Sequence, residues 1–382
     1  MNLRGYILVL LALWVVFDTS AQSDSIVVEN GSTLHYRYIP IEQKVKRFDV
    51  AFVLTPTYTS STGLGLGVSV AGSYSNDRRN PSLPLSTVNI FALATLKGVY
   101  NVGIEGNNTF RNDHHRLLYH LAFSSHPTRF WGLGYAEATT NNYLRYTSNR
   151  QHLSATYLYR LYGNIYIGTQ LGFDYIYARK SHRESLLPYL GNRKSHDSAT
   201  SLSLVLEYDS RNSTLTPERG LLLHLQGGIR PKGLGSVDDT SYLAQFNTRY
   251  FQPLWSGAVL ALDLYGEYNS VHTPWQFYAR VGDQSRMRGY YEGQFMDNNL
   301  ASVQVELRQR IWKRFGAVIW GGAANCFGTS TPFAWSHTLP TYGVGLRLEI
   351  KRGLNLRVDY GLGAKVQRRL INGLTVQLGE AF

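Results

Sequence analysis

From Phe48 to the last residue the chain repeats one pattern, in which apolar and polar residues alternate in short runs. Successive side chains of a β-strand point to opposite faces, so period-two alternation writes a strand with one apolar and one polar face. The cleanest run is Ser302 to Arg310. There Val303, Val305 and Leu307 face one way, and Ser302, Gln304, Glu306, Arg308 and Arg310 the other. Leu354 to Leu362 repeats it with Asn355, Arg357, Asp359 and Gly361 on the polar side, and Leu64–Val70 and Ile165–Phe173 do nearly the same. Leu202–Tyr208 slips once at Val205, and Leu221–Gln226 once at Leu222. A soluble sandwich also alternates, but it buries its apolar face and wets the polar one. Strand number and length separate the two cases. About 16 segments, many of about 10 residues, with connections that tend to alternate short and long, are the arithmetic of an all-β, 16-stranded antiparallel transmembrane β-barrel.

The alternation predicts strands over 49–56, 64–74, 86–97, 99–109, 115–124, 149–161, 164–180 and 197–208. It continues over 220–230, 239–252, 257–270, 299–312, 316–326, 341–350, 354–363 and 372–381. An even count puts both termini on one side, the periplasmic one. The long segments 181–196, 271–298 and 327–340 then lie on the outer side, and Trp312–Phe315 and Lys351–Gly353 are tight turns. The short–long rhythm fails near the start, so the expectation includes a miscount of one or two early strands.

Apolar residues make up 43% of the 382 and charged residues only 17%, which excludes a disordered chain. The 27 Tyr and 7 Trp suit a protein that meets two membrane–water interfaces. A net charge of +12 invites a nucleic-acid reading. The Lys and Arg are scattered over loops and polar strand phases with no recognition signature, so no nucleic acid is expected; a basic lumen or an anionic membrane surface is their use. The single Cys326 permits neither an intrachain disulfide nor an all-Cys metal site.

Residues 1–21 read as a signal peptide, with Arg4 in the n-region, an apolar core from Ile7 to Phe17 and the small-residue site Thr19-Ser20-Ala21. No later window is apolar enough to span a bilayer as a helix, so a membrane-integral mature chain must close into a barrel. Residues 22–47 are expected to be a short periplasmic leader or plug, and 48–382 the barrel. They are too few for the adaptor domains that precede many barrel assemblers.

No enzyme is expected. His152-Leu153-Ser154 lacks a third catalytic partner. Adjacent histidines in Asp113-His114-His115 would point to opposite faces, which favours a solvated loop over a metal site. The Gly-x-Gly pairs lie in strands, so neither cofactor nor metal is implied.

One stretch stands out inside the long polar segment between two alternating strands: Ser285-Arg286-Met287-Arg288-Gly289-Tyr290. Arginine cannot discharge by losing its proton, so a buried Arg288 must find carboxylates or carbonyls. Arg288-Gly289-Tyr290 resembles the Arg-Gly-aromatic tip of the sixth outer loop in the BamA/TamA-type barrels, also called the bacterial surface antigen family. Tyr208-Asp209-Ser210-Arg211 with Pro217 and Gly220 resembles that family's mid-barrel turn. Val305-Glu306-Leu307-Arg308 is similar to its following strand. Gly343–Arg347 with Leu356–Gly361 is similar to its closing strands.

The resemblance covers about the whole barrel and implies a loop folded into the lumen between strands 11 and 12, its Arg paired with acids on strands 12 and 13. Glu306 is the strand-12 acid, on the lumen phase. Gly322 stands where the strand-13 Asp is expected, which leaves Glu306 to hold Arg288 alone unless the barrel brings Asp359 near. Asp209, Arg211, Pro217 and Gly220 are read as a structural turn. Leu374, Val376, Leu378 and Phe382 share a phase, interrupted by Glu380, and resemble the C-terminal signal of client barrels.

The implied function is insertion of proteins into, or translocation across, the outer membrane of a didermal bacterium. It would run through a weak strand 1/strand 16 seam, with Phe48–Pro56 against Leu374–Phe382. Implied partners are outer-membrane lipid, unfolded β-barrel or secreted clients, and a periplasmic adaptor protein. The competing class is a passive pore or structural surface barrel without assembly activity.

Overall fold

The computed structural model describes residues 48–76, 83–110, 112–140, 142–180, 193–214, 216–351 and 354–382. The expected signal peptide and leader lie outside these residues, as do most of the segment 181–196 and Arg352 and Gly353 of one tight turn. The first eight barrel strands are β1 (Asp49–Thr59), β2 (Gly63–Tyr74), β3 (Ser86–Thr95), β4 (Tyr100–Phe110), β5 (His115–Phe130), β6 (Leu144–Tyr162), β7 (Ile165–Lys180) and β8 (His196–Asp209). The second eight are β9 (Gly220–Arg230), β10 (Ser241–Pro253), β11 (Ala258–Asn269), β12 (Asn299–Trp312), β13 (Phe315–Phe327), β14 (Leu339–Lys351), β15 (Leu354–Val366) and β16 (Arg369–Leu378). Each pairs antiparallel with the next and β16 returns to β1, closing the barrel. No early strand is miscounted. The rhythm of connection lengths fails there because β1–β2 and β3–β4 turn over in only a few residues, at the same end as the long loops.

Some boundaries move for identifiable reasons. β5 and β6 overrun the expected 124 and 149 because their ladder continues from Ser125–Asn149 to Phe130–Leu144. β16 is displaced from 372–381. It starts early, out of the tight turn Gln367-Arg368, whose residues both take positive φ, and it stops at Leu378.

The apolar phase faces out. Leu202, Leu204, Val303, Val305, Val344 and Leu346 are exposed on the outer wall, where lipid rather than water receives them. The intervening Ser203, Gln304 and Glu306 are buried on the lumen side. Val205, the slip in the β8 pattern, also turns inward and packs on Leu158 and Tyr166.

The sixth connection at the long-loop end, loop six (residues 270–298), folds back over the lumen. Its 3-10 turn Trp275–Phe277 and a small ladder joining Ala279–Arg280 to Met296–Asp297 organise it. Trp275, Tyr278 and Met296 pack on Phe130, Leu144 and Tyr146 of the wall. Val281, Met287, Tyr290 and Phe295 pack with Ala138 of the short helix α1 (Tyr135–Thr139), Leu300 and Leu339. An apolar layer thus fixes the loop at that end of the barrel and delivers its tip to the lumen.

Candidate functional site

Loop six places Arg288 in the lumen with 1% of its surface exposed. Its Nη2 lies 2.5 Å from Glu306 Oε2 on β12, and its Nη1 lies 2.8 Å from Asp359 Oδ2 on β15. The guanidinium carbon also lies 3.7 Å from the ring centroid of Trp320 on β13, and Nε is a buried donor with no hydrogen-bond partner among the described residues. Both carboxylates are fully buried. A buried carboxylate is costly unless it is paired, and here each has more than one partner. Arg308 Nε reaches Glu306 at 2.7 Å. Asp359 receives Arg347 at 2.6 Å and Arg357 at 3.0 Å. The network therefore ties loop six to β12, β14 and β15 at once.

Of the two alternatives the sequence left open, Glu306 alone or Glu306 with Asp359, the barrel adopts the second. The second acid comes from β15, two strands beyond the place where Gly322 stands. Gly322 also has a positive reason to be glycine. A Cβ there would come within 2.5 Å of the Val303 carbonyl and 2.7 Å of Gln304 Cγ. Gln304 uses that space to serve the loop, accepting from Met287 N–H and donating to the Ser285 carbonyl.

Gly289 takes φ 110°, and a side chain on it would strike the Gly361 backbone at 2.8 Å. The tip accordingly lies flat against Gly361 and Gly373, a facing pair on β15 and β16. Thr341 Oγ1 donates to the Arg288 carbonyl. Tyr290 Oη donates to the Pro340 carbonyl at 2.7 Å and accepts from Ala364 N–H at 2.7 Å. The register of β15 with β16 shifts between Leu362 and Lys365, so the Tyr290 hydroxyl takes over an amide that the ladder releases.

Several residues that serve the tip are ones the sequence did not single out for a role. Arg286 binds Asp263 of β11 at 2.6 Å and Asn247 of β10, and stacks on Tyr265. Arg249 reaches the same Asp263. Arg357 donates to the Gln284 carbonyl and to Gln377 of β16, and Gln377 also bonds Gln284. Polar-phase residues look alike along a sequence. The one available signal was a buried-type Asp263 between leucines in Leu262-Asp263-Leu264.

Asp209 and Arg211 pair within the β8–β9 turn at 2.8 Å, and Gly220 begins β9. The Pro217 carbonyl accepts from Arg308, so this turn touches the lumen network. Asp113 is not a solvated loop residue. It is buried and receives Arg116 at 2.6 Å, Tyr166 Oη at 2.7 Å and Arg160. His152 Nδ1 lies 2.8 Å from Asp174. Among the described residues no cluster of His, Cys, Asp and Glu is arranged to hold a metal.

The seam differs from its expected form. β1 and β16 register only at Tyr58–Val376 and Thr59–Thr375, and not along Phe48–Pro56. Leu374, Val376 and Leu378 do lie on β16, but Phe382 leaves their phase. The strand ends at Leu378, and the chain turns inward to bury Phe382 against Phe251 and Ala261.

A closed 16-stranded barrel with its apolar phase outward, its lumen entered by the tip of its own loop and that tip pinned by buried ion pairs, has the architecture of a transmembrane β-barrel. Residues 61–382 match the Omp85 superfamily domain, and the chain belongs to the Omp85 superfamily, a non-enzymatic family of outer-membrane barrels. No curated protein matches the chain. Its fold is similar to that of BamA from Haemophilus ducreyi lacking POTRA domains 1–3, at 14% identity and a TM-score of 0.60, over 87% of this chain and 70% of that one. CdiB from Acinetobacter baumannii is similar at 12% identity and a TM-score of 0.58, over 87% and 60%. CdiB from Escherichia coli gives 12% and 0.57, over 85% and 62%.

Proposed function

We propose that this barrel inserts proteins into the outer membrane, or passes them across it, by lending the unpaired edge of β1 to an incoming strand. The observation that carries this is the seam. β1 and β16 share two register pairs, whereas every other neighbouring pair shares at least eight. Among the described residues no strand pairs with the β16-facing edge of β1 from Val50 to Thr57, although its other edge is paired to β2 throughout. A row of free backbone donors and acceptors is a template for strand addition. Pro56 removes only one donor from it.

The ion-pair network around Arg288 serves this reading as a lock. It joins the loop to β12, β14 and β15, so the wall beside the seam stays fixed while the seam itself is weak. The clients are unfolded barrels or secreted chains exported to the periplasm, where an adaptor protein delivers them; co-purification from outer membranes that yields no periplasmic partner would remove the adaptor. The C-terminal strand makes this protein a client of the same machinery, and its own export begins with residues 1–21. A passive pore is the poorer reading, because loop six and its apolar layer occupy the lumen.

The test is reconstitution of the mature protein in liposomes with an unfolded client barrel, its folding followed by gel shift. Accelerated folding by wild type and loss of it in Arg288→Ala support the reading. Steady ion conductance without acceleration would replace it with a pore.

A further inference from the structure

The hairpins that join β6 to β7 and β12 to β13 lie at the end of the barrel away from loop six and are built alike. Each drops one residue out of register, Leu161 in the first and Ile311 in the second, and then closes on a last pair, Tyr162–Ile165 and Trp312–Phe315. Each turns in two residues, and the first of the two takes positive φ, 53° at Gly163 and 47° at Lys313. The β6–β7 hairpin fills these places with Gly163-Asn164, residues that such a turn favours. The β12–β13 hairpin fills them with Lys313-Arg314. A lysine meets more strain than a glycine at that φ, so the shape of the turn does not call for either cation.

Their surroundings point to a use. Lys313 and Arg314 are exposed, and among the described residues neither makes an ion pair. The acids near them are otherwise placed. Glu218 faces Arg310, and Glu380 pairs with Arg347. Glu349 stands on the lumen phase of β14 and donates its backbone N–H to the Arg314 carbonyl. Beside the two cations the outer wall is apolar. Ile311, Trp312 and Phe315 are exposed, the last two rings stacked with centroids 6.1 Å apart, and Lys313 Nζ lies 4.8 Å from the Trp312 centroid. Trp255 of the β10–β11 turn is exposed too and is tied to this hairpin, donating Nε1–H to Gln309 at 2.7 Å. Indole rings settle where acyl chains give way to headgroups, so the two cations stand at headgroup depth.

We propose that the β12–β13 hairpin holds one anionic phospholipid, its phosphate on Lys313 and Arg314 and an acyl chain along Ile311, Trp312 and Phe315. Lys313 supplies a point charge and Arg314 a planar fork of donors, a pairing suited to a phosphate diester. A phosphatidylcholine carries its own cation beside the phosphate and gains less there. The bound lipid would fix the depth of β12, the strand that carries Glu306 and Arg308. The site is independent of the seam and needs no client.

Quenching of tryptophan fluorescence by brominated lipids tests it, with the full-length barrel reconstituted in phosphatidylcholine vesicles. Both leaflets have the same composition, so the orientation of the barrel does not matter. The Trp312 signal is the difference between wild type and Trp312→Phe. Brominated phosphatidylglycerol should reach this ring with a relative binding constant about fivefold above that of brominated phosphatidylcholine. Lys313→Gly with Arg314→Asn copies the β6–β7 turn, so it keeps the hairpin and should abolish the preference, with heat-modifiable gel mobility confirming the fold. Trp335, exposed at the other end in a loop without Lys or Arg and read through Trp335→Phe, should show no preference in either protein. Absence of a preference at Trp312 in wild type overturns the site, as does a preference that survives the Gly-Asn turn. An equal preference at Trp312 and Trp335 overturns it too, because that is only the attraction of a basic protein to an anionic surface.

Discussion

The wall at β5–β6 and the seam at β1–β16 are built from the same kind of alternating sequence, yet they close differently. β5 and β6 stay in register over sixteen pairs, from His115–Tyr159 to Phe130–Leu144, and β1 and β16 over two. Strand propensity does not account for this, since β1 pairs with β2 along its whole length. The difference lies behind the sheet. On the seam side the lumen is occupied by the loop-six tip, which lies on Gly361 and Gly373, and by the C-terminal tail, which has left the sheet. Interior contacts have taken residues that a uniform ladder would have used. The half of the barrel next to the weak seam is instead stiffened from inside, by ion pairs to loop six in addition to its strand pairing.

The comparison breaks first at Arg288. Arg288→Ala leaves two fully buried carboxylates short of a partner and should cost about 3–5 kcal/mol, read as a lower urea midpoint in detergent micelles. Glu306→Ala should cost a similar amount, because Arg288 and Arg308 both lose a buried partner, and Glu306→Gln should recover part of it. If either substitution is neutral, the stiff half is not held by these pairs.

Tyr290→Phe is a finer probe. It removes the hydroxyl that satisfies Ala364 N–H and the Pro340 carbonyl, and leaving them unpaired should cost about 1–3 kcal/mol. Hydrogen exchange should quicken at Ala364 and stay unchanged at the β5–β6 wall. Exchange that quickens equally in both regions would show that the loop steadies the whole barrel rather than the seam side.

Asp113 tests the opposite wall, in the turn between β4 and β5. Burial alone would raise its carboxyl, but hydrogen bonds from Arg116 and Tyr166 and the charges of Arg116 and Arg160 outweigh that and hold it below its ordinary range. A depressed folded value means that the clasp stabilises fully above the ordinary carboxyl value and is lost as pH falls through the folded one. Asp113→Asn should cost about 2 kcal/mol near neutral pH, and the gap to wild type should narrow below about pH 4. Client folding should be unaffected. A gap that is constant with pH would exclude the charge as its cause.

How much of this was legible depended on whether the period-two rule applied. It held along most of the strands, with slips such as Val205 and Leu222, so the barrel, its sixteen strands and the lumen phase of Glu306 and Asp359 could be read. It could not say which polar-phase residues meet across the lumen, because strands separated in sequence are brought together only by closure. Arg347, Arg357, Asp263 and Trp320 were for that reason invisible as partners of the tip. The rule misplaced Phe382 because phase arithmetic assumes that the strand continues, and Gly379 ends it. It missed the inward Val205 for a different reason, since an apolar residue can serve a lumen that is locally packed rather than wet.

The most direct measurement is a reversible lock on the seam. In a Cys326→Ala background, Tyr58→Cys with Val376→Cys joins β1 to β16, and Leu118→Cys with Thr156→Cys joins β5 to β6 as a control. Both barrels are reconstituted with an unfolded client under oxidising and then reducing conditions. The account predicts that the oxidised seam abolishes acceleration of client folding, that reduction restores it, and that the wall disulfide changes neither. Full acceleration with the seam covalently closed would contradict it.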